Sequence, residues 1–169
     1  QQTYNLIDAA IVGRFLGSDA LASVGASSSV QFLVLGFCMG TACGFGVPIA
    51  RHFGAGDIKK LKQYFYNSIV ITAVTALVLT TVCGVLCSEI LKLLSTPSNI
   101  FDDAYKYLLV IFLGIPFTLL YNLLSSVLRS VGDSKTPFVF LAISTVLNIV
   151  LDLVCVIVLK WGCMGAAIA

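Results

Sequence analysis

The chain has 169 residues, of which 59% are hydrophobic and only 11% charged, with a formal net charge of +2 and a mean hydropathy of +1.02. A soluble domain of this size has too little interior to hide that much apolar surface, so the composition points to a membrane protein. The small net charge argues against nucleic acid as a partner.

Crossing the hydrocarbon as a helix takes about 20 apolar residues. Residues 20–50, 63–88 and 107–128 carry no charge, and residues 137–159 carry only Asp152. These runs do not alternate, as barrel strands would. Nor do they fit a signal peptide, which has one apolar core followed by soluble sequence. The expected architecture is an all-α, polytopic transmembrane helix bundle. Its spans fall at residues 27–50, 65–88, 105–128 and 137–159, with partial spans at 1–13 and 163–169. Four whole helices and two partial ones read as a piece of a longer protein.

In chain order, the first segment is interrupted by Asp8, one turn after Tyr4 on the same helix face. The second contains Gly36, Gly40 and Gly44 at four-residue intervals, a stripe expected to let a neighbouring helix approach closely. Residues 57–66 are expected to form a short interfacial helix feeding the third span, with Lys59, Lys60 and Lys62 at the headgroups. Ser95-Thr96-Pro97-Ser98-Asn99 breaks the chain, and Asp102 and Asp103 suit the first turn of the next helix. Pro116, after Gly114, should kink the fourth span. Thr136-Pro137 is expected to cap and open the fifth span, which ends beyond Ser144, Asn148 and Asp152.

Lysine and arginine set the orientation. The loops after the second and fourth spans hold Arg51, Lys59, Lys60, Lys62, Arg129 and Lys135, against Arg14, Lys92, Lys106 and Lys160 on the other side. The positive-inside rule therefore puts residues 51–62 and 129–136 in the cytoplasm of a multi-pass protein of the plasma (inner) membrane.

A carboxylate in hydrocarbon costs at least a few kcal/mol and is rare there without a function. At 1.5 Å per residue, Asp152 lies roughly 11 Å below the outer end of its span and Asp8 roughly 9 Å below Arg14. Ser144, Asn148 and Asp152 form one polar stripe. Two carboxylates sharing a low-dielectric pocket cannot both ionise cheaply, and carboxylate, amide and hydroxyl oxygens are also the ligands a hard cation takes. A pocket of Asp8, Asn148 and Asp152 is thus suited to a proton or a sodium ion. No other metal and no cofactor is indicated. The cysteines Cys38, Cys43, Cys83, Cys87, Cys155 and Cys163 include no Cys-x-x-Cys pair and there is one histidine, His52, so neither a disulfide framework nor a zinc site is expected.

Two motif matches fail on context. Gly54-Ala55-Gly56-Asp57 matches part of the intramembrane aspartyl protease pattern, but Lys59 and Lys60 follow at once and put Asp57 in water. Gly132-Asp133-Ser134-Lys135-Thr136 ends like a phosphate loop, yet Arg129 and Ser134 stand where glycines are needed. No enzyme activity is expected.

Asp8-Ala9-Ala10-Ile11-Val12-Gly13-Arg14-Phe15-Leu16-Gly17 followed by Ala20-Leu21-Ala22-Ser23-Val24-Gly25 resembles the first helix and first outer loop of the multidrug and toxic compound extrusion (MATE) family. Ala50-Arg51-His52-Phe53-Gly54-Ala55-Gly56-Asp57 is similar to the end of that family's second helix. Arg129 to Pro137, Asn148-Ile149-Val150-Leu151-Asp152 and Gly162-Cys163-Met164-Gly165-Ala166-Ala167 resemble its helices four to six. The resemblance implies the N-terminal lobe of a twelve-helix antiporter that exports drugs or organic cations against protons or sodium. Its partners would be those small molecules, membrane lipid and a missing C-terminal lobe. It also implies that Asp8, Asn148 and Asp152 form the cation site, with Tyr4 and Tyr107 nearby. The alternative within the same superfamily is a lipid-linked oligosaccharide flippase, which tends to place basic residues in its cavity. No span here has an internal lysine or arginine.

Overall fold

The computed structural model describes the backbone from Gln2 to Ala169 and side chains from Ala9 onwards. The expected sites Tyr4 and Asp8 therefore lie outside the described side chains. Among the described residues the chain is helical throughout: α1 Gln2–Phe15, α2 Ser18–Gly54, α3 Ile58–Leu93, α4 Phe101–Leu113, α5 Ile115–Ser130, α6 Lys135–Asp152 and α7 Gly162–Ile168. A single π-helical segment, Leu153–Val158, continues α6.

Three helices are long and apolar enough to cross a membrane: Ser18–Gly54, Ile58–Leu93 and Lys135–Val158. The bent pair α4–α5, whose two halves meet at 43°, is a fourth when its halves are taken as one span. The bend falls where Gly114 closes α4 and Pro116, lacking an N–H, opens α5. Asp102 and Asp103 do occupy the first turn of α4.

Three local expectations need correction. Residues 20–25 are not an outer loop, because α2 already begins at Ser18. With 37 residues, α2 is about 55 Å long, more than the hydrocarbon alone requires. Residues 57–66 are not a separate interfacial helix either. Asp57 caps α3 by accepting from the Lys60 N–H at 3.1 Å, and the helix then runs unbroken to Leu93. At the start of α6 the capping side chain is not Thr136 but Asp133, whose Oδ1 accepts from the N–H groups of Lys135 (3.1 Å) and Thr136 (3.0 Å).

The glycine stripe lies off the packed face of α2 among the described residues. Gly36, Gly40 and Gly44 are exposed, and a Cβ added at any of them would meet nothing within 4 Å among the described residues. The buried stripe of α2 runs through Gln31, Val34, Cys38, Ala42 and Gly46. At 3.6 residues per turn, a residue two positions away points to nearly the opposite side. Four-residue spacing identified a face but not which face. Gly46 is the glycine that permits close approach: Ser130 Oγ, from α5, donates to its carbonyl at 2.9 Å. The main core lies where α2, α3, α4 and α5 meet, around Cys38, Leu91, Leu108 and Phe112.

Candidate functional site

Helix α6 distributes its residues unusually. Its large apolar side chains Phe138, Phe140, Ile143, Val146 and Val150 are exposed, while Pro137 and Asp152 are its buried residues. Carboxylates are ordinarily the last residues to be fully buried, yet Asp152 is 0% exposed. Along its length α6 packs against α1, α5 and α7, besides the π segment that continues it.

One turn earlier, Asn148 is half-buried. Its Oδ1 is shielded from solvent and accepts no hydrogen bond among the described residues. A buried amide oxygen without a donor costs free energy unless something supplies one. Asn148 and Asp152 share a face at i, i+4, so an amide oxygen that accepts no hydrogen bond among the described residues lies one turn from a fully buried carboxylate. Ser144, the third member of the expected stripe, is exposed.

Immediately after Asp152 the helix changes type. The π segment loosens the ladder, with the Leu159 N–H reaching the Val154 carbonyl at 2.9 Å. Such segments recur at functional positions. Here the chain then turns through Lys160 and Gly162, both with positive φ, to bring α7 back against the π segment. Gly165 makes that contact possible, since a Cβ there would lie 3.1 Å from the Cys155 carbonyl oxygen. Tyr107 is buried in the resulting cluster, with Val12 of α1, Val156 of the π segment and Cys163 and Ala166 of α7. The structure thus brings Tyr107 to the cluster that holds Val156, one turn beyond Asp152.

Several polar residues escaped the sequence reading. Gln31 is buried on α2, on the same stripe as Ser23 and Ser27. The acceptor for the Ser27 hydroxyl is the Ser23 carbonyl, at 3.0 Å. Asn122 and Ser125 of α5 are buried beside Tyr121 and Arg129 in a cleft of about 300 Å³. The signal for Gln31 was its four-residue spacing from Ser27, which is weak within a serine-rich stretch. Among the described residues no group of three or more His, Cys, Asp or Glu could hold a metal ion.

The MatE family model matches residues 1–154. The chain belongs to the MatE family. Among its relatives, "Probable multidrug resistance protein YpnP" of Bacillus subtilis (strain 168) is 36% identical over 99% of this chain and 38% of its own length. "Probable multidrug resistance protein YoeA" of the same organism is 34% identical over 100% of this chain and 37% of its own length. A solved multidrug resistance MATE family transporter of the MOP superfamily, in its inward-facing conformation, superposes with a TM-score of 0.92 at 24% identity. It is matched over 99% of this chain and 38% of its own chain, and the likeness shows the shared fold. The chain therefore spans a little over a third of the length of these MatE relatives. Its helices are those of a membrane protein.

Proposed function

We propose that this chain forms the N-terminal lobe of a secondary active multidrug antiporter, in which Asp152 and Asn148 hold the coupling ion, a proton or sodium. The observation that carries the reading is the full burial of Asp152 in a helix whose large apolar side chains Phe138, Phe140, Ile143, Val146 and Val150 are exposed, with the donor-less Asn148 oxygen one turn away. Both features suit an ion that arrives and leaves. A proton on the carboxylate removes its charge, and a sodium ion takes both oxygens as ligands. Asp8, on α1, and Tyr4 are proposed to complete the site from the facing helix, with Tyr107 closing its outer side. The names of the Bacillus relatives support drugs as the exported class, and the spans' lack of internal lysine or arginine favours organic cations over lipid phosphates.

Coupling follows from linkage. An ion shifts a two-state equilibrium only by its differential affinity for the two states. Asp152 sits where α6 gives way to the π segment, so a change in its charge acts on the least regular part of the span.

The test is efflux of ethidium from proteoliposomes containing the complete transporter, under an imposed proton or sodium gradient. Gradient-dependent efflux is expected, and the 169-residue chain alone should give none, since a single lobe encloses no central cavity. Efflux that ignores both gradients would contradict the reading, as would full activity of the isolated chain.

A further inference from the structure

We propose that the turn joining α2 to α3 is a binding site for anionic phospholipid headgroups, formed by Arg51, Lys59 and Lys62. It is independent of the transported substrate. Residues 51–62 hold the cations Arg51, Lys59, Lys60 and Lys62 against a single carboxylate, Asp57. That carboxylate is committed locally. It caps α3 through the Lys60 N–H at 3.1 Å and lies 3.7 Å from Lys60 Nζ. Among the described residues the ion pairs are Lys60 with Asp57 and Lys92 with Glu89, which leaves Arg51, Lys59 and Lys62 exposed without a carboxylate.

The geometry concentrates these charges. Lys59 and Lys62 stand at i, i+3 on one helix face, with Tyr66 one turn further on. Two like charges so placed repel unless an anion bridges them. The turn itself is well fixed. The His52 ring stacks on Tyr64 with centroids 5.0 Å apart and planes 17° apart, tying the end of α2 to the start of α3. Gly56, at φ +71°, allows the tight reversal between them.

The surroundings favour a lipid over a soluble anion or an acidic protein. The turn joins two helices long enough to cross the membrane and so lies at one membrane face. Phe53, Ile58 and Tyr66 are exposed beside the cations. Apolar and aromatic side chains flanking lysines match the boundary between headgroups and acyl chains.

The experiment is native mass spectrometry of the complete transporter titrated separately with phosphatidylglycerol, phosphatidylcholine and inorganic phosphate. A cation near an anionic membrane surface contributes about fivefold in affinity, so three together contribute on the order of a hundredfold. Phosphatidylglycerol should bind well ahead of phosphatidylcholine. The triple variant Arg51→Gln/Lys59→Gln/Lys62→Gln should lose about that hundredfold factor for phosphatidylglycerol, and Lys92→Gln at the opposite end should keep it. Asp57→Asn, which releases Lys60, should strengthen binding in a protein whose fold the triple substitution has not touched. An unchanged affinity in the triple variant, an equal loss in Lys92→Gln, or inorganic phosphate binding as tightly as the lipid would each overturn the proposal.

Discussion

Replacing Gly46 by alanine tests the packing of α2 on α5 most sharply. The new Cβ would fall 2.5 Å from Ser126 Oγ and 2.9 Å from Ser130 Oγ, closer than side-chain carbons approach. Both obstacles are hydroxyls, so relief requires rotating the serines or separating the helices. Rotating Ser130 sacrifices its 2.9 Å bond to the Gly46 carbonyl. An interhelical bond within a membrane is worth about 0.6 kcal/mol on average and up to about 1.7. Overpacking a well-filled contact adds about 1–3 kcal/mol. The expected loss is therefore about 1.6–4.7 kcal/mol, read as the shift of an unfolding curve in mixed detergent micelles. Ser126→Ala removes the nearer hydroxyl, so the double variant Gly46→Ala/Ser126→Ala should recover part of the loss, a coupling that a double-mutant cycle isolates. Gly40→Ala is the control, since its Cβ meets nothing within 4 Å. If Gly40→Ala destabilises as much as Gly46→Ala, the assignment of the buried face of α2 is wrong.

Other expectations can be checked alongside. In a cysteine-free background, a cysteine at Lys60 or Lys135 should react with impermeant thiol reagents only from the cytoplasmic side and one at Lys92 only from outside; outside labelling at position 60 would invert the topology. Asp133 is held below the usual carboxylate range chiefly by hydrogen bonding to the Thr136 side chain, with the Thr136 and Lys135 N–H groups adding to the effect. Because its folded value is the lower one, its stabilisation of the α6 start is complete above the ordinary carboxylate range, near about pH 4, and fades as pH falls further. Protection of the Lys135 and Thr136 amides, taken relative to the intrinsic exchange rate at each pH, should fall below that range in the wild type, and Asp133→Asn should show weaker protection already at neutral pH. Removing the α3 cap with Asp57→Ala should cost about 1 kcal/mol and fray residues 58–61, visible as faster exchange there.

The spans were legible because an uncharged run of 20 or more residues has few alternatives to a membrane helix. Asp152 stood out for the related reason that a lone acid is conspicuous in such a run, and the structure places it buried. Asn148 stood out by its i, i+4 spacing. What stayed hidden depends on neighbours distant in sequence. Gly36, Gly40 and Gly44 share a face, but only the positions of α3 and α5 decide that the opposite face, with Gly46, is the packed one. The π segment at Leu153–Val158 has no residue signature, since Val, Cys and Ile serve equally in an α-helix; it arises where α7 folds back through Gly165. The α6 cap was misassigned because Thr136 and Asp133 both suit that role, and the difference lies in a turn geometry that local propensity does not determine. Ser144 illustrates the limit of a stripe. It shares spacing with Asn148 and Asp152 but extends past the elements that cover them.

The central claim is that Asp152 carries the coupling charge, and Asp152→Asn in the complete transporter addresses it directly. The substitution preserves shape and removes the ionisable group. At matched expression, vesicles bearing Asp152→Asn should still bind drug while losing gradient-driven efflux. Asp8→Asn should lose a similar or somewhat smaller share, and Asp57→Asn should change efflux little. Parental efflux by Asp152→Asn together with failure of Asp57→Asn would contradict the account.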